Sequence, residues 1–191
     1  MTAFSRTSFS KWKFFEPRTN LPHQANGLWE IESGIVRGYT WLDDGSIVTL
    51  GLWGTGELVS TFFPVIKPYE LECLTEVKAV SIPWQNSPEQ IRVLLNSLQS
   101  TYDLTLIRNY KTTDIMLIKL FTWLSRKNGK KTPNGQLIDI RLTHQDIADI
   151  LGITRVTVTR SLLQLEKQGL IERNPLHRFI LKEEEIWHYE I

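Results

Sequence analysis

The sequence predicts an α+β chain: an N-terminal β-barrel or jelly roll, one long helix, and a C-terminal winged helix-turn-helix. Three observations carry that expectation. Short apolar runs punctuated by glycine fill residues 27–83. An unbroken helical pattern runs from Pro88 to about Lys111. Two short helical patterns then meet at Gly152, and a hairpin-like segment follows them.

The β region comes first. Leu28-Trp-Glu-Ile-Glu-Ser alternates apolar and polar residues and stops at Gly34. Ile35–Leu42 and Ser46–Trp53 follow, joined by Asp43-Asp-Gly45. Asp-Gly between apolar runs predicts a hairpin, because those residues tolerate the positive φ of primed turns. The stretch Glu70–Ile82 supplies two more strands. Several short strands at this spacing suit a closed or double-sheet architecture. Trp29, Trp41, Trp53 and Trp84 lie in or next to it. They can fill a small barrel or form an aromatic cage around a ligand. Cys73 is read as a core thiol, with a redox sensor as the alternative.

The long helix opens with Ser87 as N-cap, Pro88 in the first helical position and Glu89 near the positive dipole end. Ile91, Leu95, Leu98, Tyr102 and Leu106 recur at three- and four-residue steps. Val93, Leu94, Leu104 and Ile107 form a second line to one side. Two apolar faces fit a helix packed on its own domain and on a second copy, or a helix buried within one chain. The first line is taken as the dimer interface. Thr112-Thr-Asp114 predicts a new N-cap, and Ile115–Ser125 is helical with Ile115, Leu117, Ile118, Leu120, Phe121 and Leu124 apolar. Asn128-Gly129 predicts its C-cap. Lys130–Gly135 reads as a turn, and Gln136–Leu142 as a short strand.

Thr143 then predicts an N-cap, with Asp146 in the capping-box position. Ile147, Ala148, Ile150 and Leu151 form the inner face of that helix, and Gly152 makes the turn. Ile153 plugs the turn into the core. Thr154 caps the next helix, whose Val158, Leu162, Leu165 and Leu163 are expected inside. Arg155, Val156, Thr157, Thr159 and Arg160 occupy its first turns. A recognition helix presents such residues to the major groove. Arginine bridges guanine O6 and N7, and a valine or threonine methyl packs on thymine. Thr143, Gln145, Thr154 and Thr159 can reach phosphate oxygens. Gly169 ends the helix, and Leu170–Leu181 reads as a wing with Asn174-Pro175 at its tip. A winged helix used only for protein contacts is the alternative.

With 191 residues, the chain has room for one large or two small domains. Its hydrophobic fraction of 41% is ordinary for a globular protein. It lacks the run of about 20 apolar residues that a membrane helix needs, and its N-terminus lacks a signal-peptide pattern. One cysteine cannot form an internal disulfide. The expected location is the cytoplasm, with no membrane partner. The net charge of +1 conceals an asymmetry: residues 1–121 carry −1, residues 122–182 carry +6, and the last nine add four acids. A basic block beside a near-neutral one suits a polyanion-binding domain attached to something else, or a solvated basic face.

These features resemble the Crp/Fnr superfamily of transcription regulators. The likeness covers nearly the whole chain and is sharpest from Leu142 to Arg173. Thr154-Arg-Val-Thr-Val-Thr-Arg160 is most similar to the NtcA-like nitrogen-control branch. The resemblance implies a cyclic-nucleotide-binding-like β-roll over residues 1–87, a dimerisation helix over 88–112 and a winged domain over 113–191. It places Arg155, Val156 and Arg160 at base edges, and His144, Gln145, Thr154 and Thr157 at phosphates; Thr157 is also read as a base contact. Val156 stands where the cyclic-AMP receptor pattern has glutamate. A carboxylate accepts from cytosine N4 and valine cannot, so the operator should differ there. The turn Lys130–Gly135 resembles the family's polymerase-contacting loop, which implies RNA polymerase as a partner.

The sensor half matches less closely. Gly54-Thr-Gly-Glu-Leu-Val-Ser60 resembles the start of the family's phosphate-binding cassette, so Gly56, Glu57 and Leu58 mark the candidate effector pocket. No arginine lies between Arg37 and Arg92. A cyclic phosphate then lacks its bidentate partner, and cyclic-nucleotide binding is not expected. The nitrogen branch is associated with 2-oxoglutarate, partly through a long-helix arginine. That position falls near Gln99, so this response is not expected either. Fnr-type iron–sulfur ligation needs several cysteines. No Ser-His-Asp spacing, Walker loop or HExxH run is present. The expectation is a non-enzymatic, cofactor-free and metal-free regulator. It would bind a palindrome in double-stranded DNA as a homodimer. A regulator with a vestigial, ligand-independent sensor and a protein-interaction adaptor are the alternatives.

Overall fold

The computed structural model describes residues 11–62, 64–175 and 178–182. His177 in the expected wing and His188 in the acidic tail lie outside the described residues. The chain divides into two compact units, Met1–Asp103 and Leu104–Ile191.

The first unit contains β1 (Lys13–Phe15), β2 (Gly27–Ser33), β3 (Val36–Trp41), β4 (Ile47–Trp53), β5 (Leu58–Val59), β6 (Glu70–Cys73) and β7 (Val77–Pro83). Two antiparallel sheets form, in the orders β1-β7-β2-β5 and β4-β3-β6. Trp29, Ile31, Val36, Leu71, Val77 and Ala79 cluster in one core. Trp29 also spends its indole N–H on Pro22 O at 3.0 Å. A second cluster holds Leu28, Leu58, Val80 and Ile82, with Val93 and Leu94 of helix α1 (Pro88–Arg108) packed on it. β2 is therefore buried at Leu28 and Trp29 alike, because helix and sheet cover its opposite faces. Each such side chain contributes about 1.5–3 kcal/mol. The α1 cap forms as expected, with Gln90 N donating to Ser87 Oγ at 3.2 Å.

The β3–β4 turn differs from the two-residue form. Leu42 N donates to Ser46 O at 3.0 Å, which makes Asp43-Asp-Gly45 a three-residue loop, with Gly45 at φ 80°. Glycine carries the left-handed residue that such loops need. β1 and β5 were not anticipated; at three and two residues they are too short to show a period.

The second unit contains α2 (Thr113–Asn128), β8 (Gly129–Thr132), β9 (Gly135–Ile138), α3 (His144–Leu151), α4 (Arg155–Lys167), β10 (Ile171–Asn174) and β11 (Arg178–Leu181). One sheet runs β10-β11-β9-β8. Helix α2 buries Met116, Leu117, Ile118, Leu120, Phe121, Trp123 and Leu124, which makes it the spine of this unit. Phe121 stacks on Phe179 of the wing with ring centroids 4.8 Å apart.

Two details correct the sequence reading here. Lys130–Thr132 is strand rather than turn, and the turn is confined to Pro133-Asn134. Gly129 caps α2 at φ −80°, not in the left-handed region. Its glycine is required instead by close approach, since a Cβ would lie 2.3 Å from Ser125 O.

Candidate nucleic-acid interface

The helix-turn-helix begins with a complete capping box. Asp146 N donates to Thr143 Oγ1 at 3.1 Å, and Thr143 N donates to Asp146 Oδ2 at 2.7 Å. Together they hold α3 at its N-terminus. Gly152 turns the chain at φ 70°. Thr154 caps α4 by accepting from Thr157 N at 3.1 Å. From the end of α1, Arg108 donates through Nε and Nη2 to Ile150 O at 2.7 and 2.5 Å. A cation thus meets the negative end of α3. Its burial lowers the pKa of that guanidinium.

On α4, Val158, Ser161, Leu162 and Leu165 are buried. Residues step about 100° around a helix, so Val156, Arg160, Leu163 and Lys167 form the opposite stripe. All four are exposed, Val156 by 59% and Leu163 by 47%. The expectation that Leu163 faces inward is therefore wrong. Core positions at 158, 162 and 165 leave it a quarter-turn or more outside. Arg155 is exposed as well, and Thr157 half-buried.

The candidate phosphate contacts divide. Gln145 and Thr154 are exposed. Thr143 is half-buried and spends its hydroxyl on Asp146 Oδ2 at 2.7 Å. His144 Nδ1 lies 2.8 Å from Thr159 Oγ1, whose proton goes to Arg155 O at 3.0 Å. That arrangement makes His144 the donor to Thr159 and ties α3 to α4. Arg141 is an exposed basic residue that sequence reasoning did not single out. Its signal was only the regional charge.

Around the cassette, Gly56 lies in an exposed turn at φ 82°, and Leu58 is buried. Glu57 is buried, with Oε2 accepting from Gly54 N at 2.6 Å and Oε1 from Ser100 Oγ at 2.5 Å. The roll's buried arginine, Arg37, is bound to Glu72 on the neighbouring strand, with Nε 2.9 Å from Oε2. Gly56, Glu57 and Leu58 therefore adjoin one another without lining an open polar pocket. Ser97 and Ser100 are the residues that sequence reasoning missed there; two serines on a helix carry no pattern of their own.

The regulatory protein CysR of Synechococcus elongatus is 42% identical over 161 residues, covering 82% of this chain and 77% of its own length. The chain belongs to the Crp/Fnr family of transcription regulators. The Crp-like helix-turn-helix domain matches residues 117–186. A global nitrogen regulator of the same organism is 34% identical over 114 residues, covering 54% of this chain and 51% of its own length. The chain thus spans about half of that relative. A CRP-family transcriptional regulator from Thermus thermophilus has the same fold, with a TM-score of 0.76 at 19% identity, covering 90% of this chain and 92% of its own. FixK2 from Bradyrhizobium japonicum superposes with a TM-score of 0.72 at 18% identity, covering 94% and 96%.

In this Crp/Fnr chain the expected interface line on α1 is open to solvent. Ile91, Leu95, Leu98, Tyr102 and Leu106 are 38%, 60%, 42%, 57% and 64% exposed. The second line behaves differently: Leu104 and Ile107 are buried, and Val93 and Leu94 half-buried. No described helix is long and apolar enough to cross a membrane.

Proposed function

We propose that this Crp/Fnr regulator binds a palindromic operator as a homodimer. In this reading residues 1–87 form the roll, 88–112 the dimer helix and 113–191 the reader. The single observation that carries it is the exposure of the two arginines in the first turns of α4. Arg155 and Arg160 stand exposed, and both have donors that suit guanine. Val156 and Thr157 would supply methyl groups, and Gln145 and Thr154, both exposed, would meet phosphates. A second copy is supported by five exposed apolar side chains in one helical line, which water would otherwise cover. Half-sites should lie about one helical turn apart.

The test uses the full chain and duplexes selected from a random palindromic library. Binding should weaken steeply with salt, as phosphate contacts require. Sedimentation should give a dimer that Leu95→Glu and Leu98→Glu together dissociate. Failure to bind any duplex at low salt would favour a protein-interaction adaptor. The hairpin β8–β9, with Lys130 and Lys131 exposed, is proposed to touch RNA polymerase. Alanine at both should lower transcription and spare DNA binding; loss of both would refute it.

A further inference from the structure

We propose that α1 and Trp53 are the resident occupants of the roll's cassette, so that this regulator binds its operator without a small-molecule effector. The inference rests on the DNA-binding reading above and concerns how that binding is regulated.

The cassette's hydrogen-bonding groups are spent within the chain. Ser100 Oγ donates to Glu57 Oε1 at 2.5 Å, and Gly54 N donates to Oε2 at 2.6 Å. Leu58 N donates to Ser97 Oγ at 2.9 Å, and that hydroxyl donates onward to Val93 O at 3.0 Å. Glu57, Ser97 and Ser100 are 9%, 3% and 2% exposed. Serines three apart share one helix face, and here that face delivers two hydroxyls to the cassette.

Trp53 fills the space beside them. Its Nε1 donates to Ser97 O at 2.9 Å. Its ring lies where side chains at two glycines would be. A Cβ on Gly38 would come within 2.6 Å of the ring, and one on Gly51 within 2.5 Å. A solvent-open, apolar pocket of about 160 Å³ lies beside the ring, walled by Trp53, Leu58, Val59, Pro64 and Leu98 among others. Ser60, also on its wall, donates to Gly27 O at 3.1 Å. A charged or hydroxyl-rich metabolite would find these groups already bonded, and would have to displace α1 to reach Glu57. α1 ends at Arg108, whose guanidinium donates to Ile150 O.

The experiment uses the full chain, refolded from denaturant to strip bound small molecules and checked by native mass spectrometry. Duplexes are selected from a random palindromic library with and without the deproteinised small-molecule fraction of a cell extract. The expected result is selection without the fraction, and an affinity that the fraction leaves unchanged. Ser100→Ala, which loosens the clamp, should bind about tenfold more weakly, as a chain of which only about a tenth stays binding-competent would. Ser100→Thr, which keeps the hydroxyl, should recover the affinity. Val77→Ala, in the core away from α1, should lower Tm and leave affinity intact. Operator binding that rises about tenfold or more with the fraction would overturn the proposal. So would Ser100→Ala binding as tightly as the parent chain. Selection only with the fraction would sink the clamp while sustaining the DNA reading; no selection under either condition would sink both.

Discussion

The two ends of this chain treat polar groups in opposite ways. On α4 Arg160 stands on the exposed stripe and Arg155 is exposed at the helix start, and the core takes only Val158, Ser161, Leu162 and Leu165. In the roll, Glu57 is closed over by Ser100 and Gly54, and Arg37 by Glu72. Donors left open at a surface are what a partner can use, whereas donors bonded internally fix a conformation. On the readings proposed above, this difference gives recognition to one end and a structural, self-satisfied role to the other.

The largest effect that separates the two ends should come from Phe121→Ala. It removes the stack on Phe179 at the centre of the second unit. The cost should be about 3–5 kcal/mol. Hydrogen exchange should show α2, α4 and the wing losing protection while β2 and β7 keep theirs. Equal loss in both units would mean that they do not behave as separate cooperative bodies. Arg160→Ala should come next. It should cost about 1–3 kcal/mol on the selected duplex and less on random DNA. Equal loss on both would mean that Arg160 meets only phosphate, and the open stripe would not be a reader of sequence.

The same contrast explains what the amino-acid order revealed. The reader was legible because caps, turn glycine and core spacing are local: Thr143, Gly152 and Thr154 each act within four residues. Leu163 was misplaced because its neighbour Leu162 belongs to the core, and one step around a helix separates inside from outside. Gly129 was recognised as a terminator, but its reason, the nearness of Ser125 O, exists only in three dimensions. The roll gave up its strands but not their arrangement. β5 is two residues long, and the Glu57–Ser100 bond spans 43 residues of sequence. No periodicity announces such a pair.

A smaller pair of substitutions sets one cap of each region against the other. Ser87 accepts from Gln90 N at 3.2 Å, and Thr154 from Thr157 N at 3.1 Å. Alanine at either should cost about 1 kcal/mol of stability. Only Thr154→Ala should also weaken DNA binding, since Thr154 stands at the head of α4. If Ser87→Ala weakened binding equally, the roll would be as close to recognition as the reader is.

The smallest effect should come from Asp139, and it is visible through pH. Lys130 Nζ approaches Asp139 Oδ2 to 2.5 Å across the β8–β9 hairpin. Arg178 Nε of the wing lies 3.0 Å from Oδ1, without the alignment of a hydrogen bond. The Lys130 hydrogen bond lowers the carboxyl's pKa most; burial opposes it, and the charges of Arg178 and Lys130 add to the lowering. A pKa depressed by folding contributes stability above the unfolded value, near 3.9, and that contribution is lost as pH falls through the folded value. Lys130 is 68% exposed, so solvent and salt screen the pair to about 0.2–1 kcal/mol. Asp139→Asn should therefore reduce stability slightly at neutral pH and not at all in strong acid, with the difference closing below about pH 4. Denaturant unfolding of both proteins from pH 3 to 7 checks this. A difference that stays constant across that range would show that Asp139 stabilises by packing rather than by charge.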